Sequence, residues 1–524
     1  MKITSYTKND TARLKGLGIL MICLHNFFHW QSLLPGQNEF DFSIERVNLL
    51  FQQFQDYPGE FFHLLMSYFG HFGVQIFIFI SGFGLAASMM KKEQSWGVFV
   101  FNRWKKLYPL LLTGLLFFII FGKIVIDGVV PSSYDWREMG YKALLIHTLL
   151  PGSGLRLCGP WWFFGLIFQL YLLFPLLFRL IKRFDWKALL GVCVVSYGMI
   201  FFFREAMPAF SGVILMQNAP GHLPEFCFGI WLCFNKDRNL SWIWLLTAVT
   251  LFVLGNFFAF FYPFTFLSVA VMTFFVYQSL KGCKRRPKML SRFFVYIGGL
   301  SMALFATHGF MRDPFLEIAK EWGAWGHFFS AVLFFAAACL MALAAKAFYN
   351  FLLSLFNRIP TVENHATKVI SRCVQVALCL FAVYVLTYYI LLNVGRETKQ
   401  QVAVVTGDDV LRVDESGEFF TMVNYELPQN SRWLRIEGGF DMISLDTTAK
   451  PPIVVIDIAN GYYWNSAVMP ENYNDGQPHH FDFKFDFKRP FVKPIKGKLL
   501  KIYFWNNKQG LIEANQLDVK LIAR

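Results

Sequence analysis

Charge is what this sequence has little of. Asp, Glu, Lys and Arg make up 16% of its 524 residues, against about 25% in a soluble globular domain. A chain that poor in charge cannot solvate its whole surface as a water-soluble protein, so the class is integral membrane. Cysteine is sparse too: nine residues, scattered, none beyond Cys379 and none in a CxxC pair, which excludes a disulfide framework and a zinc ribbon. Acids are outnumbered 35 to 49, for a net charge of +14. The basic residues sit in short loops between apolar runs rather than on one polar face, which excludes nucleic acid as a partner. No internal repeat stands out, which weighs against an inverted-repeat transporter. The basic N-terminal stretch leads into an apolar run with no small-residue cleavage site, so a retained helix is expected rather than a signal peptide.

What is present is apolar length. Hydrophobic residues make up 55% of the chain, with 62 Phe among them. Runs long enough to span a bilayer occur at about 16–34, 72–90, 107–127, 161–181, 188–203, 223–235, 241–261, 263–280, 292–311, 327–350 and 374–394. About eleven transmembrane helices are therefore expected. Every even-numbered run is followed by a basic loop, for example Lys281, Lys284, Arg285, Arg286 and Lys288 after the eighth. By the positive-inside rule those loops and the N-terminus are cytoplasmic. An odd number of spans then puts everything after residue 395 outside.

From about residue 396 the pattern changes. Polar turns separate short runs that alternate or are β-branched. Ile453–Ile458 and Phe481–Phe487 read as strands, the second with Phe on one face and Asp482, Lys484 and Asp486 on the other. The expected organisation is a helical polytopic membrane domain, 1–395, followed by a small all-β extracytoplasmic domain, 396–524, built as a sandwich. Tyr462-Tyr463-Trp464 suits either a strand core or the face of a sugar ring.

The chemistry concentrates in the first helix, where Arg13 and Lys15 precede an apolar run that carries His25 and His29. Lys15 and His25 are ten residues apart, ~15 Å along a helix axis, so a cation at one surface is paired with an imidazole near mid-membrane. An ionisable group inside a span is costly and reads as functional. His25 and His29 have the i, i+4 spacing of a zinc chelate, but no acid or Cys completes the set and no metal site is expected. A general base or proton relay suits such a histidine better. His308 sits in the ninth run. Arg103, Lys105 and Lys106 mark the inner mouth of the third and suit a ligand carrying several phosphates.

The order of these motifs resembles acyltransferase family 3, integral-membrane enzymes that O-acylate glycans and other cell-surface molecules. Lys15 to His25 resembles the family's basic residue, apolar run and His, one residue shorter than its commonest spacing; Arg13 is the other candidate cation. Gly73-Val74…Ser81-Gly82-Phe83 resembles its second-helix signature, and Arg103…Lys106-Leu-Tyr-Pro109 its basic pair before Pro. Trp161-Trp162…Gln169-Leu-Tyr171…Pro175, Phe226-Cys-Phe-Gly229 and Gly298-Gly-Leu-Ser301…His308 resemble the later segments. The acidic residue often found before that Gln is absent, and the β region lies outside the resemblance.

The resemblance implies transfer of an acyl group, acetyl in the usual case, from cytoplasmic acyl-CoA to a hydroxyl of a surface or lipid-linked polysaccharide. His25, His29 and His308 are then the catalytic candidates, with His25 as general base or as the carrier of an acyl-imidazole. Lys15, Arg13, Arg103 and Lys106 are the acyl-CoA candidates, and Ser81, Trp162, Gln169 and Tyr171 the substrate-binding ones. Acyl-CoA is the expected co-substrate, without a metal. Membrane lipids and a capsule or cell-wall assembly machinery are the expected surroundings, in a bacterial cytoplasmic membrane. A proton-coupled exporter, with His25 and His308 as relays, is the rival reading.

Overall fold

The structure, a computed structural model, describes residues 2–4, 6–31, 33–126, 135–150, 152–203, 213–282, 288–321, 323–359, 369, 372–376, 400–407, 410–414, 419–427, 433–446, 453–458, 463–469, 473, 475–488, 499–506 and 511–523. The chain divides into two compact units. Met1–Glu205 with Gly212–Val376 forms one, and Ala206–Ser211 with Ala377–Arg524 forms the other.

The first unit is helical. Its elements are α1 (Lys8–Phe28), α2 (Ile44–Asp56), α3 (Phe61–Phe69), α4 (Gly73–Lys91), α5 (Trp96–Phe117), α6 (Trp136–Ala143), α7 (Trp162–Phe184), α8 (Trp186–Phe203), α9 (Leu223–Phe234), α10 (Trp242–Phe257), α11 (Phe264–Gly282), α12 (Lys288–Thr307), α13 (Asp313–Glu321) and α14 (Gly323–Asn357). Seven helical stretches among the described residues are long and apolar enough to cross a membrane: Pro58–Lys91, Trp96–Lys123, Gly159–Phe184, Trp186–Phe203, Phe264–Lys281, Lys288–Phe310 and Gly326–Asn357. The runs expected at 223–235 and 241–261 form α9 and α10, which are shorter apolar helices. Twelve residues, as in α9, rise only ~18 Å. The run expected at 374–394 lies outside the described residues after 376.

Local sequence explains where the helices depart from the apolar runs. α1 starts eight residues before its run because Thr7 and Asp10 form a capping box: the Asp10 amide donates to Thr7 Oγ1 at 3.1 Å, and the Thr7 amide to Asp10 Oδ2 at 2.8 Å. With Lys8, Asp10, Arg13 and Lys15 in its first half, α1 is not among the seven apolar stretches. α5 begins at Trp96, eleven residues before the expected run, so Arg103, Lys105 and Lys106 lie on a helix rather than in a loop before one. The expected connecting loop 35–71 folds largely into α2 and α3. α2 was missed because it is amphipathic: only Arg46, Val47 and Leu50 are buried.

Three reciprocal glycine pairs set the helix crossings. A Cβ on Gly16 would lie 2.1 Å from the Phe294 carbonyl oxygen, and one on Gly298 1.9 Å from that of Ala12. Gly18 and Gly73 meet each other's carbonyls in the same way, as do Gly82 with Phe226 and Gly229 with Phe79. Backbones can touch there only because the side chain is missing, the usual small-residue crossing between membrane helices. The motif glycines are thus packing residues that clamp α1 to α12, α1 to α4 and α4 to α9.

The second unit is all-β and antiparallel. Its strands are β1 (Gln400–Gly407), β2 (Leu411–Val413), β3 (Phe419–Glu426), β4 (Trp433–Ser444), β5 (Ile453–Ile458), β6 (Tyr463–Val468), β7 (Pro478–Lys488), β8 (Leu499–Trp505) and β9 (Ile512–Ala523). One sheet runs β1-β9-β4-β7, with β2 also on β9; the other runs β3-β8-β5-β6. The expected strands are β5 and the body of β7, where Phe481, Phe483 and Phe485 are buried and alternate with exposed Asp482 and Lys484. Residues of both sheets share one apolar cluster, with Phe440 edge-on to Phe504 at 5.1 Å. Tyr462 lies outside the described residues, as do the side chains of Tyr463 and Trp464.

Candidate active site

His25 lies in the last turn of α1, 2% exposed. Gly70 brings the next segment against it: a Cβ there would sit 2.8 Å from both the His25 Cβ and the Met21 carbonyl oxygen. That approach puts the Ser67 carbonyl, at the end of α3, 3.0 Å from His25 Nδ1. A carbonyl only accepts, so Nδ1 carries the proton and Nε2 keeps its lone pair. Nε2 is buried and has no hydrogen-bond partner among the described residues.

The Ser67 carbonyl is itself held by Arg46. The buried guanidinium donates through Nη2 to Ser67 O and Oγ, both at 3.1 Å. It also donates to Leu34 O at 3.2 Å, to Pro35 O and to Asn38 Oδ1 at 3.3 Å. Ser67 Oγ donates to Leu34 O at 2.9 Å. A charge this deep is tolerable only with its N–H groups satisfied. Here they tie residues 34–38, α2 and α3 into one support behind His25.

Two further imidazoles lie against His25. The His29 ring stacks on it at 4.8 Å, and the His71 ring meets it edge-on at 5.4 Å. Both ring nitrogens of His71, both amide atoms of Gln31 and Gln75 Oε1 are buried without a described partner. Buried polar atoms normally find partners; the open nitrogens of His25 and His71, whose rings meet, suit a site built to receive a polar ligand. Arg312 lies with its guanidinium 4.1 Å from the Trp30 ring centre, within electrostatic reach of His29 and His308. His308 is oriented like His25, Nδ1 donating to Leu304 O at 2.8 Å and Nε2 without a partner among the described residues.

The candidate cations separate into two kinds. Arg13 is engaged, donating to Asp10 Oδ1 at 3.0 Å and Ser291 Oγ at 2.7 Å. Lys15, Arg103 and Lys106 make no side-chain hydrogen bond or ion pair among the described residues, although Arg103 packs over the Phe99 ring. Arg103 is within electrostatic reach of both Lys106 and Tyr171, so α5 and α7 bring these three together. No described contact joins this group to the histidines.

The remaining candidates are placed differently. Gln169 is committed to the protein: Nε2 donates to Asn218 Oδ1 at 2.7 Å and Thr148 Oγ1 at 3.1 Å, and Oε1 accepts from the Ala219 amide. Trp162 is buried between Phe40 and His222. Ser81 is half-buried on α4 with no described side-chain bond. Arg46, Ser67, Gln75 and Arg312 were missed from sequence, and His71 stood out only as a polar residue of the loop expected at 35–71. For Arg46 a signal existed, a cation on the apolar side of an amphipathic run; the others carry none without the fold.

The comparisons agree with the order of motifs. A family profile described as an acyltransferase domain, that of acyltransferase family 3, matches residues 13–349. The acyltransferase MdmB of Streptomyces mycarofaciens is 30% identical over 174 residues, covering 31% of this chain and 42% of that protein. The chain therefore spans less than half the length of that curated relative. No solved structure matches significantly. With more than half of its residues under the family profile, the chain belongs to acyltransferase family 3.

Proposed function

We propose that the chain is a membrane O-acyltransferase that moves an acyl group, acetyl in the first instance, from cytoplasmic acyl-CoA to a hydroxyl of an outward-facing glycan or lipid-linked saccharide. The observation that carries this reading is the His25 ring: one nitrogen pinned by a carbonyl, the other a buried lone pair with no partner among the described residues. A neutral imidazole in that state can take the hydroxyl proton as the oxygen attacks the thioester carbonyl, for a typical gain of 10²–10⁴-fold. The C–O bond forms, the C–S bond breaks, and the proton passes to the departing CoA thiolate. Arg46 supports the arrangement by holding the Ser67 carbonyl in place. The free cations Lys15, Arg103 and Lys106 supply partners for the CoA phosphates.

In the same proposal the N-terminus is cytoplasmic, α1, the shorter helices α9 and α10 and the 374–394 run complete about eleven spans, and the β unit, a sandwich, lies outside. The deciding experiment is O-acyl ester analysis of surface polysaccharide from cells with and without the gene. Esters should vanish on deletion and return with the wild-type chain but not with His25→Ala. Full restoration by His25→Ala would remove the base. Unchanged esters together with lost solute export would favour the transporter.

A further inference from the structure

Away from the His25 cluster, Glu60, at the end of the turn Pro58–Glu60, and His63 of α3 meet His327 of α14, more than 260 residues later in the chain. One ligand atom from each lies within 4.8 Å of the other two. Both imidazoles turn Nδ1 toward the same carboxylate, His63 at 3.3 Å from Oε2 and His327 at 2.6 Å from Oε1. The two rings are edge-on, 5.0 Å apart. Glu60 and His63 are buried, while 15% of the His327 side chain stays exposed. Phe28 stacks on His63 at 4.7 Å, and Phe62 packs against both Phe28 and Phe328.

The protonation of His63 is the telling detail. Its Nε2 is buried with no hydrogen-bond partner among the described residues, while Nδ1 faces a carboxylate oxygen. With the proton on Nε2, the Nδ1 lone pair is free to ligate, and a cation held between Nδ1 and the carboxylate then satisfies both. Ligands 2.0–2.1 Å from a tetrahedral zinc are ~3.3 Å apart, within the 2.6–4.8 Å span seen here.

We propose that Glu60, His63 and His327 form a binding site for a divalent first-row transition ion, zinc fitting the two-imidazole, one-carboxylate set best. The exposed edge of His327 is the way in for the ion and for a fourth ligand. The site lies beside Phe28, next to His29 at the end of α1, and ties α3 to α14. Sequence reading missed it because no spacing pattern joins residues 60 and 63 to residue 327.

The test uses the full chain, purified without a histidine tag, stripped with chelator and titrated with Co²⁺ and then Zn²⁺. The readouts are cobalt absorption and metal content by mass spectrometry. One tightly held ion per chain is expected, with tetrahedral-type cobalt bands. Each of Glu60→Gln, His63→Gln and His327→Gln should weaken binding by roughly 100-fold or more, because even the loss of an outer-shell partner costs 10–100-fold. His327→Cys, which keeps a ligand at that position, should recover binding where His327→Gln does not, separating ligation from misfolding. The double variant His479→Gln, His480→Gln in the β unit should bind as wild type. No retained ion in the wild type, equal retention in the three Gln variants, or loss only in the β-unit variant would each overturn the site.

Discussion

The two units solve the burial problem in opposite senses. In the β unit apolar side chains line the core, and Asp482, Lys484 and His480 face outward. In the helical unit many of the most exposed side chains are Met289, Phe202, Ile243 and Leu340, while Arg46, Lys142, Glu225, His71 and His308 are buried. Apolar surface facing lipid costs nothing, so hydrophobicity no longer tells inside from outside. The information moves to the polar residues. A buried polar group in such a unit must be held by partners, as Lys142 is by the Ser153 and Gly154 carbonyls, or left open for a ligand, as His25 Nε2 is. In the β unit the same test is uninformative, because its polar groups are solvated.

That contrast is broken most directly at His25. His25→Ala should lower kcat by about 10²–10⁴-fold, with KM for acyl-CoA little changed, as for a group that acts mainly in the transition state. Arg46→Lys should show a smaller kcat loss and a shifted pH profile, since Lys cannot hold the Ser67 carbonyl and hydroxyl together. Equal kcat in wild type and His25→Ala would make the buried lone pair a packing accident.

The matching experiment in the β unit is Phe440→Ala. The ring is 1% exposed and packs on Phe504 and Phe481. Its removal should cost about 3–5 kcal/mol of local stability, read as lost amide-exchange protection in β4, β7 and β8. Transfer to a small soluble acceptor should proceed at the wild-type rate. A parallel fall in kcat would show that the β unit takes part in the chemistry.

A smaller effect separates the cations. Lys15→Ala and Arg103→Ala should each raise KM for acyl-CoA by roughly 10-fold or more, the value of a charge-assisted contact of about 1.5–3 kcal/mol, with kcat unchanged. Arg13→Ala should leave KM alone and lower thermal stability, because Arg13 is spent on Asp10 and Ser291. The reverse pattern would return the role of functional cation to Arg13.

How much of this was legible in the sequence follows the same division. Alternation gave away β5 and β7 because water faces one side of each strand. The histidines of α1 stood out because ionisable groups in an apolar run have few structural excuses. Whether Arg13 or Lys15 is free could not be read from spacing, since both lie one residue from the family's commonest form; only their partners separate them. The support of Arg46 and Ser67 behind His25 was hidden because α2 and α3 look like a loop to a hydropathy window. Gln169, which the motif order marks for substrate, bonds to residues 148, 218 and 219, contacts that only tertiary structure reveals.

The smallest expected effect tests whether surface charge in the β unit carries any stability. His480 Nδ1 is 2.6 Å from Asp441 Oδ1, and Nε2 is 3.3 Å from Asp482 Oδ1. Asp441, and secondarily Asp482, raise the His480 pKa above its ordinary value despite some desolvation. A raised folded pKa means the protonated ring stabilises the fold below about pH 6.5, and that this contribution is lost as pH rises through the folded pKa. The side chain is 55% exposed, so screening by solvent leaves only a few tenths of a kcal/mol. His480→Gln should therefore destabilise β4 and β7 by that amount near about pH 6 and by nothing near about pH 9, in amide exchange corrected for intrinsic rates. A difference that grows with pH would mean that the neutral ring packs and the ion pair contributes nothing. The β unit would then be held by its Phe core alone, completing the contrast with a helical unit whose buried charges are held by the hydrogen bonds around them.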